Sequence, residues 1–494
     1  MSIQITHYGR IFLPKNHFAF RYLFKFLCAI SLTACINLPE PETSTELAKD
    51  YLQSNWINNT KFEQVTGALQ VSVFEQIQMP TLVKLLNEAM AANHDLLAEK
   101  ADLMALFLAS NQATASLQPN LTLETSSTRL KQPTLINDGT YYEQQQSLQL
   151  VASWELDFWG RIRAQSRQEK ARFKQAKHNL TASQNALFGL VSWQWLRMWL
   201  TNQQIKLEVE RVEIFTLLQN SASEQYSNGL VNYEDVSLAQ ISLKTAQASV
   251  VQLQHYRSEL ARQIEVLVGR YPSAELKYSD AFPNIKHPIL SIPSEVIANR
   301  PDVQAAYANL HETHFQLEAQ NRALLPSFTL SASAGQLRPS WNDVFDSTLI
   351  WSVVGGISQS LFVADLLDAG PITLVEAAAQ QKRAATLRYQ QTLLDAFMEI
   401  ENALALEASL VDRQELLAEA VIHAKSVYVD YTKRYQTGIT NFIDLLTVQE
   451  QSLNAQLSLL DTQAELLYNR IRLGLALGIS TQHHQTEYSQ GKKL

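Results

Sequence analysis

Two stretches lying 209 residues apart carry the same residue types at the same spacing: "YSNGLVNYEDVSLAQ" from Tyr226 and "YQTGITNFIDLLTVQ" from Tyr435. Tyr226/Tyr435, Gly229/Gly438, Asn232/Asn441, Asp235/Asp444 and Gln240/Gln449 all pair. Upstream, "QPNLTL" matches "LPSFTL" through Pro119/Pro326, and Asp95 matches Asp302, both at an offset of 207. Whatever one half of such a chain folds into, the other half folds into as well, so the sequence reads as two copies of one unit of ~207 residues.

Each copy reads as helix, strand, strand, long helix, tight turn, helix. From Arg161 to Ser227 there is no proline and one glycine, Gly189; from Ile372 to Thr437 there is neither. At ~1.5 Å per residue each run makes a helix of ~100 Å, a length that points to a coiled coil or helical barrel rather than an ordinary globule. Shorter helices are expected over about 81–117, after Pro80, and over 233–268, closed by Gly269 and Pro272. Two short helices end to end come close to the length of one long one, so a wall of uniform height results from stacking them beside it. The first copy then occupies 81–269, with long helix 161–227. The second occupies 295–475, with long helix 372–437 and a last helix over 442–475. The segments 35–80, 270–294 and 476–494 flank and join them.

Four stretches alternate with period two: about 119–127, 144–157, 327–335 and 348–361. In "SLQLVASWEL" Leu148, Leu150, Ala152, Trp154 and Leu156 share a face, against Ser147, Gln149, Val151, Ser153 and Glu155. In "PSFTLSASAG" Phe328, Leu330, Ala332 and Ala334 oppose Thr329, Ser331 and Ser333. About ten residues with one apolar face, one small polar face and aromatics near the ends, such as Tyr141, Tyr142, Trp159, Trp341 and Trp351, is the pattern of outer-membrane barrel strands; a half-buried soluble sheet is the other reading. Glycines and polar residues from Gly355 to Asp365 argue against a membrane helix over 349–367. Open strand edges in lipid cost several kcal/mol per unpaired backbone group, and single-chain barrels begin at about eight strands. Four strands therefore require oligomerisation: three copies give twelve strands with room for a lumen, two give eight with a filled interior.

The first 34 residues carry Arg10, Lys15, Arg21 and Lys25 with no acid, followed by the apolar run "FLCAISLTA", an export signal too short to span a bilayer. "LTAC" (32–35) resembles the bacterial lipobox, which implies acylation of Cys35, with Ile36 in place of an inner-membrane retention Asp and the outer membrane as destination. Cys28 leaves with the signal, so no disulfide is expected. Removing 1–34 takes four positive charges from a net of −8, leaving −12, a balance that argues against nucleic acid as a partner.

With "WELDFWGRIRA", "RPDVQAAYANL", "LLPSFTLSASAG" and "RYQTGITNFIDLLTVQ" added to the duplication and the lipobox, the chain resembles the TolC-type outer-membrane factor family, in its lipoprotein branch of drug and metal efflux channels. The resemblance implies an α+β membrane protein: a homotrimer with a 12-stranded transmembrane β-barrel continuous with a 12-helix periplasmic α-barrel. The segments 35–80, 270–294 and 476–494 would form an equatorial belt. It implies a passive exit duct working with a periplasmic adaptor and an inner-membrane pump, gated at the Tyr-x-x-Gly turns of Gly229 and Gly438. A bond between Asp235 and Tyr435 would hold the gate, Asp444 would form an acidic ring, Ile443 a hydrophobic constriction, and Arg434 a basic tip residue. Thr447 stands where the family carries a second acid, and "LFVADLLDAGPIT" departs from the usual strand-to-helix junction.

No nucleotide loop, paired cysteines or nucleophile elbow is present, so no enzyme activity and no cofactor beyond the lipid on Cys35 is expected. His311 and His314 in "HETH" sit three apart without a zincin spacing or distant third ligand, so no metal site is assigned. Competing readings are a type I protein-secretion duct, a periplasmic adaptor, and a coiled-coil scaffolding lipoprotein, the last disfavoured by the absence of sustained heptads.

Overall fold

The computed structural model describes residues 42–49, 51–52, 56–57, 79–133, 140–276, 285, 293–340, 348–359 and 370–478. The signal segment, Cys35, Trp341, the strand end at 360–361, the junction 361–369, most of 277–292 and the tail beyond 478 lie outside the described residues. The elements run α1 (Ser44–Ala48), α2 (Pro80–Ala92), α3 (His94–Ala115), β1 (Asn120–Pro133), β2 (Thr140–Leu156), α4 (Arg161–Ser227), α5 (Tyr233–Leu267), α6 (Pro293–Asn299), α7 (Pro301–Ala323), β3 (Ser327–Arg338), β4 (Ile350–Ser358), α8 (Pro371–Gln436) and α9 (Phe442–Ala476). From α2 to α5 and from α6 to α9 the order is the same. The chain forms two compact units, one of 111–168 and 313–382 holding the strands, the other of 42–110, 169–312 and 383 onward holding most of the helices. No described helix is long and apolar enough to cross a membrane.

In the strand unit a single antiparallel sheet runs β1-β2-β3-β4, its middle pair joining the two halves of the sequence. Paired residues share a face, and the register sets Leu123 against Leu150, Trp154 against Leu330, Leu156 against Phe328, and Ala334 against Trp351. One face is therefore apolar over its helix-joined part and largely exposed; on the other, Ser126 meets Ser147 and Ser333 meets Ser352 in hydroxyl–hydroxyl bonds of 2.7 and 2.8 Å. β1 and β4 are edges. The ladder outruns the expected strands at the hairpin end: β1 continues to Pro133, β2 begins at Thr140 and β3 reaches Arg338. The hydrophobic alternation stops where the apolar face stops, whereas backbone hydrogen bonding continues through polar residues.

Where strands pass into helices, side chains tie the joint. Asp157 caps α4 by accepting from the Ile162 and Arg163 amides (2.9 and 3.0 Å). Arg161 pairs with Glu155 at 2.7 Å, and the Trp159 indole donates to the Pro326 carbonyl at 2.8 Å.

In the helical unit the helix expected over 81–117 is two helices. Asn93 leaves helical conformation (φ −62, ψ 123), accepts from the Leu96 amide at 3.0 Å and donates to the Leu267 carbonyl at the end of α5, 2.9 Å away. Its counterpart 207 residues on is Arg300, whose guanidinium donates to the Ala476 carbonyl at the end of α9 (2.9 Å) and holds Asp302 and Glu399. In the second half Pro301 explains the break, because proline disfavours helix at the residue before it. In the first half the asparagine cap alone does so. Gly269 and Gly478, at φ 75 and 79, close α5 and α9 against these breaks. A Cβ on Gly269 would lie 2.5 Å from the Ala92 oxygen, and one on Gly478 3.1 Å from the Arg300 nitrogen.

The main core packs Phe188, Trp195, Leu196 and Trp199 of α4 against Leu82 and Leu86 of α2, Ile264 of α5, Leu404 of α8 and Ile471 of α9. Each such side chain contributes roughly 1.5–3 kcal/mol on burial. A fully buried Glu407 sits beside this core, bonded to Asn469 and Arg470 at 3.0 and 2.9 Å; removing one partner would leave an uncompensated charge.

Candidate gate at the helical turns

The turns between α4 and α5 and between α8 and α9 have one backbone design. The Leu230 amide donates to the Gln225 carbonyl and the Ile439 amide to Arg434, both at 2.9 Å, with Gly229 and Gly438 between them at φ 71 and 72. This is the helix-ending arrangement in which glycine supplies a left-handed residue. Nothing lies within 4 Å of a Cβ built at either glycine. Backbone conformation, not space, demands them.

The helices that follow are both capped by an Asn-x-x-Asp pair, whose carboxylates take different partners. Asn441 accepts from the Asp444 amide at 2.8 Å, while Thr440 donates to the Asp444 carboxylate at 3.1 Å. In the first turn the Asp235 carboxylate reaches back to the Asn232 amide at 3.3 Å. Both acids sit in the first turn of a helix, where the macrodipole favours negative charge.

An aromatic pair clasps each turn: Tyr226 and Tyr233 with ring centroids 5.8 Å apart, Tyr435 and Phe442 at 6.1 Å, each edge to face. Their surroundings differ. Tyr226 and Tyr233 are 48% and 67% exposed, whereas Tyr435 and Phe442 are 7% and 2% exposed, packed with Phe215, Leu218, Leu243 and Leu445.

Burial, and secondarily the negative charge of Asp235, push the Tyr435 phenol above its ordinary range. Among the described residues no hydrogen bond joins the two; within this chain they interact through space. Arg434 is turned along its own helix, paired with Asp430 at 2.8 Å and resting over the Tyr431 ring. Ile443 (56% exposed), Asp444 and Thr447 share the open face of α9, opposite buried Phe442, Leu445 and Val448. The Thr447 hydroxyl is occupied by the Ile443 carbonyl at 2.9 Å.

The structure also brings in residues that short-range patterns do not single out. Arg211 of α4 lies over Phe215 and meets Glu208 and, 239 positions away, Glu450 of α9. Phe442 occupies the hydrophobic anchor below Tyr435; its alignment with Tyr233 was the one available signal. His311 meets Tyr307 edge to face, with its pKa lowered by burial and, next, by Lys174, which favours a neutral ring. No group of three metal-binding side chains converges among the described residues.

A family model described as "Outer membrane efflux protein" matches residues 85–270 and, separately, 292–479. The solvent efflux pump outer membrane protein SrpC of Pseudomonas putida is 25% identical over 409 residues, covering 81% of this chain and 85% of its own. The cation efflux system protein CusC of Escherichia coli O6:H1 is 23% identical over 463 residues, covering 92% and 98%. Among solved structures, the outer-membrane channel OprN superposes with a TM-score of 0.81 at 22% identity, over 90% of this chain and 98% of its own.

Proposed function

The chain belongs to the outer membrane efflux protein family, and from that premise we propose that it is the exit duct of a tripartite efflux system, a passive trimeric conduit from periplasm to exterior. The observation that carries this reading is the four-stranded sheet with one apolar face, one hydroxyl-lined face and two unpaired edges. In lipid such edges are satisfied only by closure, since each unsatisfied backbone group costs several kcal/mol. Three copies make twelve strands around a polar lumen, and their six long helices with the stacked short ones make a twelve-helix wall in the periplasm. The twofold match of the family model supports the duplication on which this count rests.

The gate is assigned to the turns. Ile443 narrows the duct, Asp444 rings it with negative charge, and Thr447 adds no second ring. Asp235 and Tyr435, near each other in the single chain without a hydrogen bond, latch the closed assembly, and Arg434 faces a neighbour when it leaves Asp430. Opening means parting these contacts, and it takes place when an adaptor, coupled to an inner-membrane pump, docks on the turns. Cargo is small: a solvent, an antibiotic or a cation, the classes that the names of relatives carry. An acylated Cys35 anchors the mature chain at the outer membrane.

The test is planar-bilayer conductance of the purified protein with its mass in detergent measured on the same sample. Trimer mass with small, cation-selective, mostly closed currents is expected, and Asp235→Ala combined with Tyr435→Phe raises single-channel conductance. A monomer without conductance overturns the duct. Unchanged conductance of the double variant removes the latch alone.

A further inference from the structure

The sheet sorts its charges by face. Every acidic residue of the described strands, Glu124, Glu143 and Glu155, falls on the hydroxyl-lined face: Glu124 pairs with Gln149, Glu143 with Leu130, and Glu155 with Thr329. Every basic one, Arg129, Lys131 and Arg338, falls on the apolar face, where Arg129 pairs with Gln144, Lys131 with Tyr142, and Arg338 with Gln146. Alternation along a strand makes this an all-or-none property of the register, because a slip of one residue would exchange the two sets.

The three cations also cluster at one end of the sheet, in successive rows. On the apolar face of β2, hydrophobic residues run from Leu156 at the helix-joined end to Leu148, roughly 27 Å along the strand at ~3.4 Å per residue and roughly 20 Å of height at the ~40° tilt of barrel strands. The next row toward the hairpins is Ser127, Gln146 and Arg338, followed by Arg129 with Gln144 and then Lys131 with Tyr142. The Tyr142 ring carries both neighbouring cations, Arg129 at 5.0 Å and Lys131 at 5.9 Å from its centroid. Cations held on a tyrosine above an apolar belt suit an anionic lipid headgroup, with arginine supplying the paired donors that phosphate oxygens accept.

We propose that Arg129, Lys131 and Arg338, with Gln144 and Tyr142, form an outward-facing collar that binds the phosphate groups of the outer-leaflet glycolipid. The proposal rests on the reading that the sheet spans the outer membrane. Helices join the sheet at one end and hairpins close the other, so with the helices in the periplasm the collar lies at the outer leaflet, whose phosphorylated glycolipid is the anion within reach.

The experiment uses the full-length protein extracted from outer membranes, with native mass spectrometry of bound lipid A bisphosphate, the same lipid A stripped of phosphate, and phosphatidylglycerol. Arg129→Gln/Lys131→Gln/Arg338→Gln is expected to retain bisphosphorylated lipid A at least ten-fold more weakly, and the charge-preserving Arg129→Lys/Arg338→Lys to retain most of it. Outer-membrane fractionation and heat-resistant oligomer are read on every sample. An assembled glutamine variant that binds like wild type overturns the collar. Equal binding of phosphatidylglycerol by wild type overturns the assignment to the glycolipid. A wild-type protein absent from the outer-membrane fraction overturns the membrane reading itself.

Discussion

The two turns of the candidate gate share a motif, a glycine conformation and an edge-to-face aromatic pair, yet one pair is open to solvent and the other is core. Hydrogen bonding and φ at a turn are settled within about six residues, so duplicated sequence gives duplicated turns. Burial depends on what packs from elsewhere, and Phe215 and Leu218 of α4 cover the second pair while leaving the first bare. Duplicated chemistry has thus become an anchor in one turn and an accessible surface in the other.

The sharpest way to break this comparison is to truncate equivalent rings. Phe442→Ala should cost about 3–5 kcal/mol of local stability through the cavity it leaves, while Tyr233→Ala stays within about 1 kcal/mol as an exposed substitution. Hydrogen exchange at the two turns measures both, and equal losses would mean that both pairs are buried in the assembled protein. Gly229→Ala and Gly438→Ala, by contrast, should each cost about 1–2 kcal/mol, since the penalty comes from positive φ in open space. Unequal costs by the same exchange measurement would show that packing, not backbone, sets them.

Titration probes a smaller effect. With its pKa raised by burial and by Asp235, Tyr435 should ionise above the ordinary phenol value of about 10, and Asp235→Asn should bring it only part of the way down. Because the folded value lies above the unfolded one, the associated stability is fully present below pH ~10 and is lost as pH rises through the folded value. Difference absorbance against Tyr435→Phe reads this, and a phenol titrating in the ordinary range would contradict the burial. Smallest of all, Arg434→Gln breaks a half-exposed pair with Asp430 and should change stability of the isolated chain by less than about 1 kcal/mol. A larger loss in the assembled protein would mark Arg434 as an inter-protomer contact.

Much of the fold was legible in residue order. Glycine and proline placement marks the long helices and their turns, and period-two alternation finds the four strands. The break at Asn93 was not legible: an asparagine inside a helical pattern reads as a surface residue until the end of α5 is seen to need a donor for the Leu267 carbonyl. The strand ends past Ser127 were missed because alternation reports the apolar face, which ends before the hydrogen-bond ladder does. At the candidate gate, Gly229, Gly438, Asp235, Asp444 and Tyr435 stand out by repetition. Phe442 as anchor and the Arg211–Glu450 pair do not, because their partners lie far off in sequence.

By itself the sequence determined everything that arises within one turn of helix or one strand: positive-φ glycines, capping carboxylates, long uninterrupted helices and a sheet with two chemically opposite faces. The tertiary structure decided which of two equivalent aromatic clasps is buried, where the short helices break to cap their neighbours, and how far the charged ends of the strands stay in register. These depend on surfaces brought together across hundreds of residues, and burial, unlike backbone geometry, is a property of the whole packing.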